Sequence, residues 1–427
     1  MKPERFTASV FVFVICALML SVFCGFASKK MKSINDETRP EIKIDWEKIY
    51  PFDDGSKESS MEKFSSFYDY VKSKLKDYTS TENLPGYYNM IEAAKKYEDV
   101  IRWNMVSVFD YNAVIKLKDG YLTSYTTSLD VTHDAESVKN FADFCTEKGI
   151  DFMYINFPAK VCVSEDKEIS GVLDFANQNA EKFLAMLKES GVRYYDFRKN
   201  LHEAGMSHHG AFFVTDHHWK PETGLWAAGE ILKILHDDFA WNIEPEILSP
   251  ENFEYVIYRD LLLGSHGRKV TLARAKPEDF TVIYPKFTTS LRFEIPNLRL
   301  DASGNFGITY DMNALEKYNY SSKTYAAYSR GGHPLATFTN RLAANQKRLL
   351  LISDSFSRCM TPFLSLEIQH IDTIDLRYFS GSVHSLIGKM KPDAIIIAYC
   401  SQMPGRFGNP SESEENKKLY EKLYDFR

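Results

Sequence analysis

Two stretches of the chain alternate short uninterrupted apolar runs with segments whose apolar positions recur every three or four residues. The first holds AVIKLKDGYLTSY at 113–125, which predicts two strands around an Asp119-Gly120 turn, then a helix at 135–148 and the strand DFMYINF at 151–157. A helix at 175–190 and the strand VRYYDF at 192–197 follow. The second stretch holds KRLLLIS at 347–353, a helix after Ser355, HIDTIDL at 370–376, a helix at 381–390 and DAIIIAY at 393–399. Such alternation predicts α/β layers around a mainly parallel sheet. Between 240 and 335 the pattern changes to short runs such as FEYVIYRD, DFTVIYP and LRFEIPN, separated by Gly, Pro, Asn and Asp. That segment reads as a β-rich insertion standing as a lobe beside the sheet.

The ends of the chain differ. Phe6 to Ala27 carries no charge, and 22 residues at ~1.5 Å rise can cross a hydrocarbon core of ~30 Å. The segment spans the bilayer or is a long signal peptide; its length favours an uncleaved anchor. Lys2 and Arg5 precede it and suit an N-in orientation, although Lys29, Lys30 and Lys32 follow. Residues 29–57 read as a juxtamembrane linker, and Ser59–Tyr78 and Tyr87–Val106 as helices. The organisation expected is therefore an anchor at 1–28, a linker at 29–57, an α/β domain in two parts at 58–240 and 336–427, and the insertion at 241–335. An exposed helix is expected at 411–425.

Composition narrows the function. The 427 residues are 44% hydrophobic and 26% charged, which suits a folded protein rather than a disordered one. Lys+Arg number 52 against 58 Asp+Glu, and without a long basic block nucleic acid is excluded as the expected partner. Cys145, Cys162, Cys359 and Cys400 are widely spaced in apolar stretches, so buried thiols are expected rather than a disulfide framework or zinc site.

Two constellations carry chemistry. In FFVTDHHWKPETG an apolar run ends at Asp216-His217-His218-Trp219, and Pro221 starts a helix whose buried face is Leu225, Ala228, Ile231 and Leu235. A carboxylate two residues from an imidazole can fix its tautomer and stabilise its cation, as a general base requires; a helix cap beside surface histidines is the plainer reading. In RLLLISDSFSRCM a strand runs into Ser353-Asp354-Ser355-Phe356 and an apparent helix. A serine at a strand-to-helix turn exposes its hydroxyl, while the following backbone N–H groups, beginning at Phe356, can hold an oxyanion. Helix capping is again the alternative. The presence of both favours a Ser355-His218-Asp216 triad. Trp219 either stacks on a sugar ring or packs under the loop, and Lys160 either attracts an anionic substrate or is an ordinary surface lysine. His208, His209, His217 and Asp216 lack regular metal-ligand spacing, so no metal is expected. Asp-His-His also occurs in manganese phosphoesterases, whose further Asp ligands are not evident.

The Ser353-Asp354-Ser355 turn resembles the Gly-Asp-Ser block of the SGNH/GDSL hydrolases, with serine replacing glycine. Asp216-His217-His218-Trp219 resembles the Asp-x-His-Trp form of that superfamily's Asp/His block found in the alginate-type acetylation proteins, and it is the signature of the bacterial DHHW family. The resemblance implies a circularly permuted SGNH domain with helices on both faces of a parallel sheet, since the Asp/His block precedes Ser355, and DFMYINF as the strand before the Asp/His loop. Laying the superfamily's Pro-Asp strand on Pro392-Asp393 puts Gln402 at the oxyanion Asn. The implied function is a membrane-anchored, extracytoplasmic O-acetyltransferase acting on a bacterial cell-surface polysaccharide. No cofactor is implied, and a multipass membrane O-acyltransferase would be the acyl donor. A deacetylating esterase and a non-catalytic glycan-binding scaffold are the alternatives.

Overall fold

Strands of consecutive Leu, Ile and Val have no polar face to give to water and must be covered on both sides. The computed structural model describes residues 114–427 except 118–119, 163–173, 273, 316–322 and 407–421. It places such strands at the centre of a sheet. The order is β1 (Ile115–Lys116), β2 (Leu122–Thr123), α1 (Thr132–Glu147), β3 (Asp151–Phe157), α2 (Ala176–Glu189), β4 (Tyr194–Asp196), α3 (Phe197–Glu203) and α4 (Pro221–Asp237). Then come β5 (Phe253–Leu262), α5 (Ser265–Val270), β6 (Glu278–Pro285), β7 (Leu291–Ile295), β8 (Leu300–Gly304) and β9 (Leu335–Asn340). Finally come β10 (Arg348–Ser353), α6 (Thr361–Leu364), β11 (His370–Ile374), α7 (Val383–Met390) and β12 (Ala394–Cys400).

The main sheet has eight strands in the order β4-β3-β12-β10-β11-β9-β7-β8. From β4 to β11 neighbours run parallel; β9, β7 and β8 continue the sheet antiparallel. In the middle, Leu351 lies opposite Thr373 on one side and Ile396 on the other. Every residue of β12 is buried, and each large aliphatic side chain there contributes roughly 1.5–3 kcal/mol of transfer free energy. Helices cover the sheet with the stripes their spacing predicts: Val138, Phe141 and Cys145 on α1, and Leu225, Ala228, Ile231 and Leu235 on α4. Pro221 opens α4, where its missing N–H costs nothing.

The β-rich segment does not stand apart as a lobe. β5 and β6 form a separate two-stranded sheet, but β7 and β8 join the main sheet through β9. Leu291, Phe293 and Ile295 alternate inward on β7, and this period-two pattern lets the strand extend an existing core. The chain's end also departs from expectation. Leu423, Tyr424 and Phe426 are buried, and Tyr399 Oη donates to the Leu423 carbonyl at 2.8 Å. The rest of the helix expected at 411–425, and the anchor, linker and helices expected before residue 107, lie outside the described residues. Among the described residues no helix is long and apolar enough to cross a membrane. Cys145, Cys162, Cys359 and Cys400 are buried.

Candidate active site

The Asp/His loop follows β4 and α3, so DFMYINF is one strand removed from it. Nor is the apolar run before Asp216 a sheet strand. Phe212 and Trp219 form an isolated antiparallel bridge, and Phe213 N donates to the His218 carbonyl at 3.2 Å. These bonds close the eight residues 212–219 into a tight loop. Several neighbours hold it. Glu278 of β6 accepts from the backbone N–H of Val214 and Thr215 at 2.8 and 2.6 Å. Lys160 Nζ donates to the carbonyls of Leu122 (2.7 Å), Val214 (3.3 Å) and Asp216. Gly264 lies against Asp216 so closely that a Cβ there would sit 2.3 Å from the Asp216 Cβ.

At the other half of the site, β10 ends at Ser353 and a 3₁₀ turn covers Ser355–Cys359. Asp354 organises it. Its Oδ1 accepts from Phe356 N and its Oδ2 from Cys400 N, each at 2.9 Å, so one carboxylate ties the turn to the end of β12. Burial raises Asp354 to about 6, against these hydrogen bonds.

The two halves meet. His218 Nε2 lies 2.7 Å from Ser355 Oγ, and His218 Nδ1 lies 2.6 Å from Asp216 Oδ1. Asp216 also accepts from His218 N at 3.0 Å and, through Oδ2, from Ser265 N at 2.6 Å. Burial alone would raise Asp216, but His217, His218 and these donors hold it well below the usual carboxylate range. An ionised Asp216 requires the proton on Nδ1, which leaves Nε2 as the acceptor for the Ser355 hydroxyl. Burial lowers His218, with Asp216 opposing, so the imidazole is neutral near pH 7. A neutral imidazole on a serine hydroxyl is the arrangement a general base needs. Ser355 is only 8% exposed, less than a serine standing free above a sheet.

The other expected site residues are placed differently. Trp219 is fully buried and donates through Nε1 to the Phe356 carbonyl at 2.9 Å, so it packs beneath the nucleophile turn rather than offering a face to a sugar. Lys160 is not a surface cation; its ammonium is enclosed by three carbonyls, and burial pulls it down to about 7, against Asp216 and Glu278. The Phe356 N–H is used by Asp354 and is not directed at an oxyanion. Gln402 turns its amide to the Ser124 carbonyl at 3.4 Å. Tyr325 was not singled out by the sequence: its ring stacks on His218 at 3.9 Å. No motif marks it, because it lies in a turn remote in sequence from both blocks. Two groups of described residues bring potential metal-ligand atoms within 4.8 Å, Asp216-His217-His218 and Cys162-His202-His208. In the first, both His218 nitrogens are already engaged.

The α/β sheet thus carries a buried serine, histidine and aspartate within hydrogen-bond distance of one another. Residues 117–247 match the family model of the SGNH hydrolase-like domain of the acetyltransferase AlgX. That match ends before Ser355, so the serine's place beside His218 comes from the structure. Among solved structures, Bacillus cereus PatB1 with a sulfonyl adduct superposes with a TM-score of 0.56 at 17% identity, over 68% of this chain and 96% of that one. A DHHW family protein from Eubacterium siraeum gives 0.52 at 13% identity, over 73% and 95%. At these identities the likeness is one of fold. No curated protein matches the chain.

Proposed function

We propose that this chain is an SGNH-type acyl-transfer enzyme, an O-acetyltransferase for a cell-surface polysaccharide, working through an acyl-enzyme at Ser355. The observation that carries the reading is the continuous contact from Asp216 through His218 to Ser355. In the first step Ser355 Oγ attacks the acyl carbonyl and its proton passes to His218 Nε2, which returns it to the departing group. In the second, an acceptor hydroxyl gives its proton to Nε2 and takes the acyl group, and Nε2 passes that proton to the departing Ser355 Oγ, which restores the resting pair. Asp216 holds the imidazole in register and stabilises its cation. The Ser355 N–H, which has no acceptor among the described residues, is the nearest candidate donor to the oxyanion of each tetrahedral intermediate.

A permuted SGNH order is part of the proposal. Counted from β10, the parallel strands β11-β10-β12-β3-β4 read 2-1-3-4-5, a doubly wound order in which ligands bind beyond the strands' carboxyl ends. The apolar segment 6–27 would anchor the domain outside the cytoplasmic membrane, and a multipass membrane O-acyltransferase would deliver the acyl group nearby. Mass spectrometry after exposure to an acetyl ester tests the mechanism: an acetyl adduct on Ser355 is expected, absent from Ser355→Ala, whose turnover falls about 10³-fold or more. Full turnover by Ser355→Ala overturns the reading. Polymer acetylation in a deletion strain separates transferase from esterase, since a fall supports transfer and a rise supports hydrolysis.

A further inference from the structure

Three side chains from separate segments converge beside the stretch that carries Lys160. Cys162 lies five residues beyond the end of β3, His202 stands on α3, and His208 precedes the 3₁₀ turn His209–Ala211 that leads into the Asp/His loop. Cys162 Sγ is 3.9 Å from His202 Nε2, and the His202 and His208 rings stack at 5.6 Å with 22° between planes. A ligand atom from each of the three lies within 4.8 Å of those of the other two. Cys162 and His208 are buried, whereas His202 reaches solvent. Sequence spacing hides this set, because Cys162 and His202 are 40 residues apart and no regular ligand pattern joins them.

The tautomer of His208 is set by its neighbour. Its Nε2 lies 2.8 Å from the Ala159 carbonyl, which can only accept, so in the neutral ring the proton is on Nε2 and the lone pair on Nδ1. A backbone carbonyl on one nitrogen is what orients and strengthens an imidazole that binds a metal through the other. A thiol–imidazole hydrogen bond alone would use one histidine; the second, its proton committed to Ala159, adds a lone pair rather than a donor. One sulfur and two imidazoles form a set that suits zinc and offers no oxygen to calcium or magnesium. In a tetrahedral zinc site the ligand atoms, about 2.0–2.3 Å from the ion, stand about 3.3–3.6 Å apart. The 3.9 Å from Sγ to Nε2 therefore needs to close only slightly, which the exposed His202 side chain can do.

We infer that Cys162, His202 and His208 bind one Zn²⁺, with a water molecule completing the tetrahedron, and that the ion fastens α3 to the two segments that position the catalytic loop. Cys162 releases its thiol proton to solvent and binds as the thiolate, His202 binds through Nε2 and His208 through Nδ1. Cys162 is two residues from Lys160, whose ammonium holds the Asp216 carbonyl, and His208 is four residues from Phe212, which bridges to Trp219. The role is structural and independent of the acyl-transfer reading.

The test is made on the full chain in detergent, stripped with a chelator and given one equivalent of Zn²⁺ or Co²⁺. One zinc per chain should survive desalting, and the cobalt form should show thiolate-to-cobalt charge-transfer absorption with the visible bands of four-coordinate cobalt. Cys162→Ser should abolish the charge-transfer absorption, and His202→Ala should weaken binding about tenfold or more. Because His202 is exposed, the second variant serves should the first not fold. His218→Ala should keep the metal, which separates this set from Asp216-His217-His218. Zinc should also raise the melting temperature of the unaltered chain and not that of His202→Ala. A chain that retains no metal, cobalt bound without the thiolate absorption, or an absorption that survives Cys162→Ser overturns the site. So does metal lost in His218→Ala but kept in His202→Ala, and binding with no rise in melting temperature overturns the fastening role.

Discussion

The Tyr325 ring lies parallel to the His218 imidazole, 3.9 Å between centroids and 9° between planes, with its hydroxyl 3.0 Å from Cys359 Sγ. The stack covers one face of the imidazole and fixes its rotation, while the hydroxyl ties Tyr325 to the nucleophile turn. Tyr325→Leu is expected to lower kcat about tenfold or more with little change in KM, because it frees the base to rotate away from Ser355. Tyr325→Phe keeps the stack and should cost only a few-fold. Steady-state kinetics on an acetyl ester checks this, and equal losses for the two variants would show that the hydroxyl matters more than the ring.

The pH profile follows from the charge state of His218. Burial lowers its pKa below 6.5, so it is the protonated form that is inactive. kcat/KM should rise with pH through a value below 6.5 and be flat at neutrality. Asp216→Asn removes the carboxylate that favours the protonated imidazole, so the limb should move further down while the plateau falls by orders of magnitude. An acid limb above pH 7 would contradict the burial of the imidazole.

Gly264 touches Asp216 closely enough to make any side chain there displace the loop. Gly264→Ala should therefore reduce kcat 10²-fold or more, because a shift of about 1 Å at the orienting carboxylate misaligns the base. Circular dichroism and activity together check it: a folded, inactive chain is the expected result.

Trp219→Phe separates packing from sugar recognition. Losing the hydrogen bond to the Phe356 carbonyl should destabilise the chain by about 1–2 kcal/mol and lower kcat, with KM for a glycan acceptor unchanged. A rise in KM alone would restore a stacking role.

Much of the sheet was legible because β10 and β12 are built around uninterrupted apolar runs, and burial on both faces leaves few other structures for such runs. Ser355, His218 and Asp216 were legible for a different reason: short polar turns follow apolar runs. What the sequence hid was pairing at a distance. β7 carries the alternation of any half-buried strand, and nothing local says that its partner is β9 rather than a strand of its own lobe. Lys160, Gln402 and the Phe356 N–H looked available because a side chain or N–H in a loop is free until its neighbours are known. Each has an acceptor from a remote or adjacent loop. Tyr325 was invisible on the same ground, since its meaning lies in the imidazole it faces.

The register of β3 against β12, from Asp151 opposite Ala394 to Phe157 opposite Cys400, has a consequence for how the molecule is made. During synthesis β3 emerges long before its central-sheet neighbour β12, which follows every other strand of the sheet in the chain. Until then β3 has only the three-residue β4 beside it, and the nucleophile turn does not yet exist. The sheet therefore closes only once β12 has been made, through contacts of large sequence separation, which slows folding. Removing residues 394–427 should leave no stable fragment of this domain.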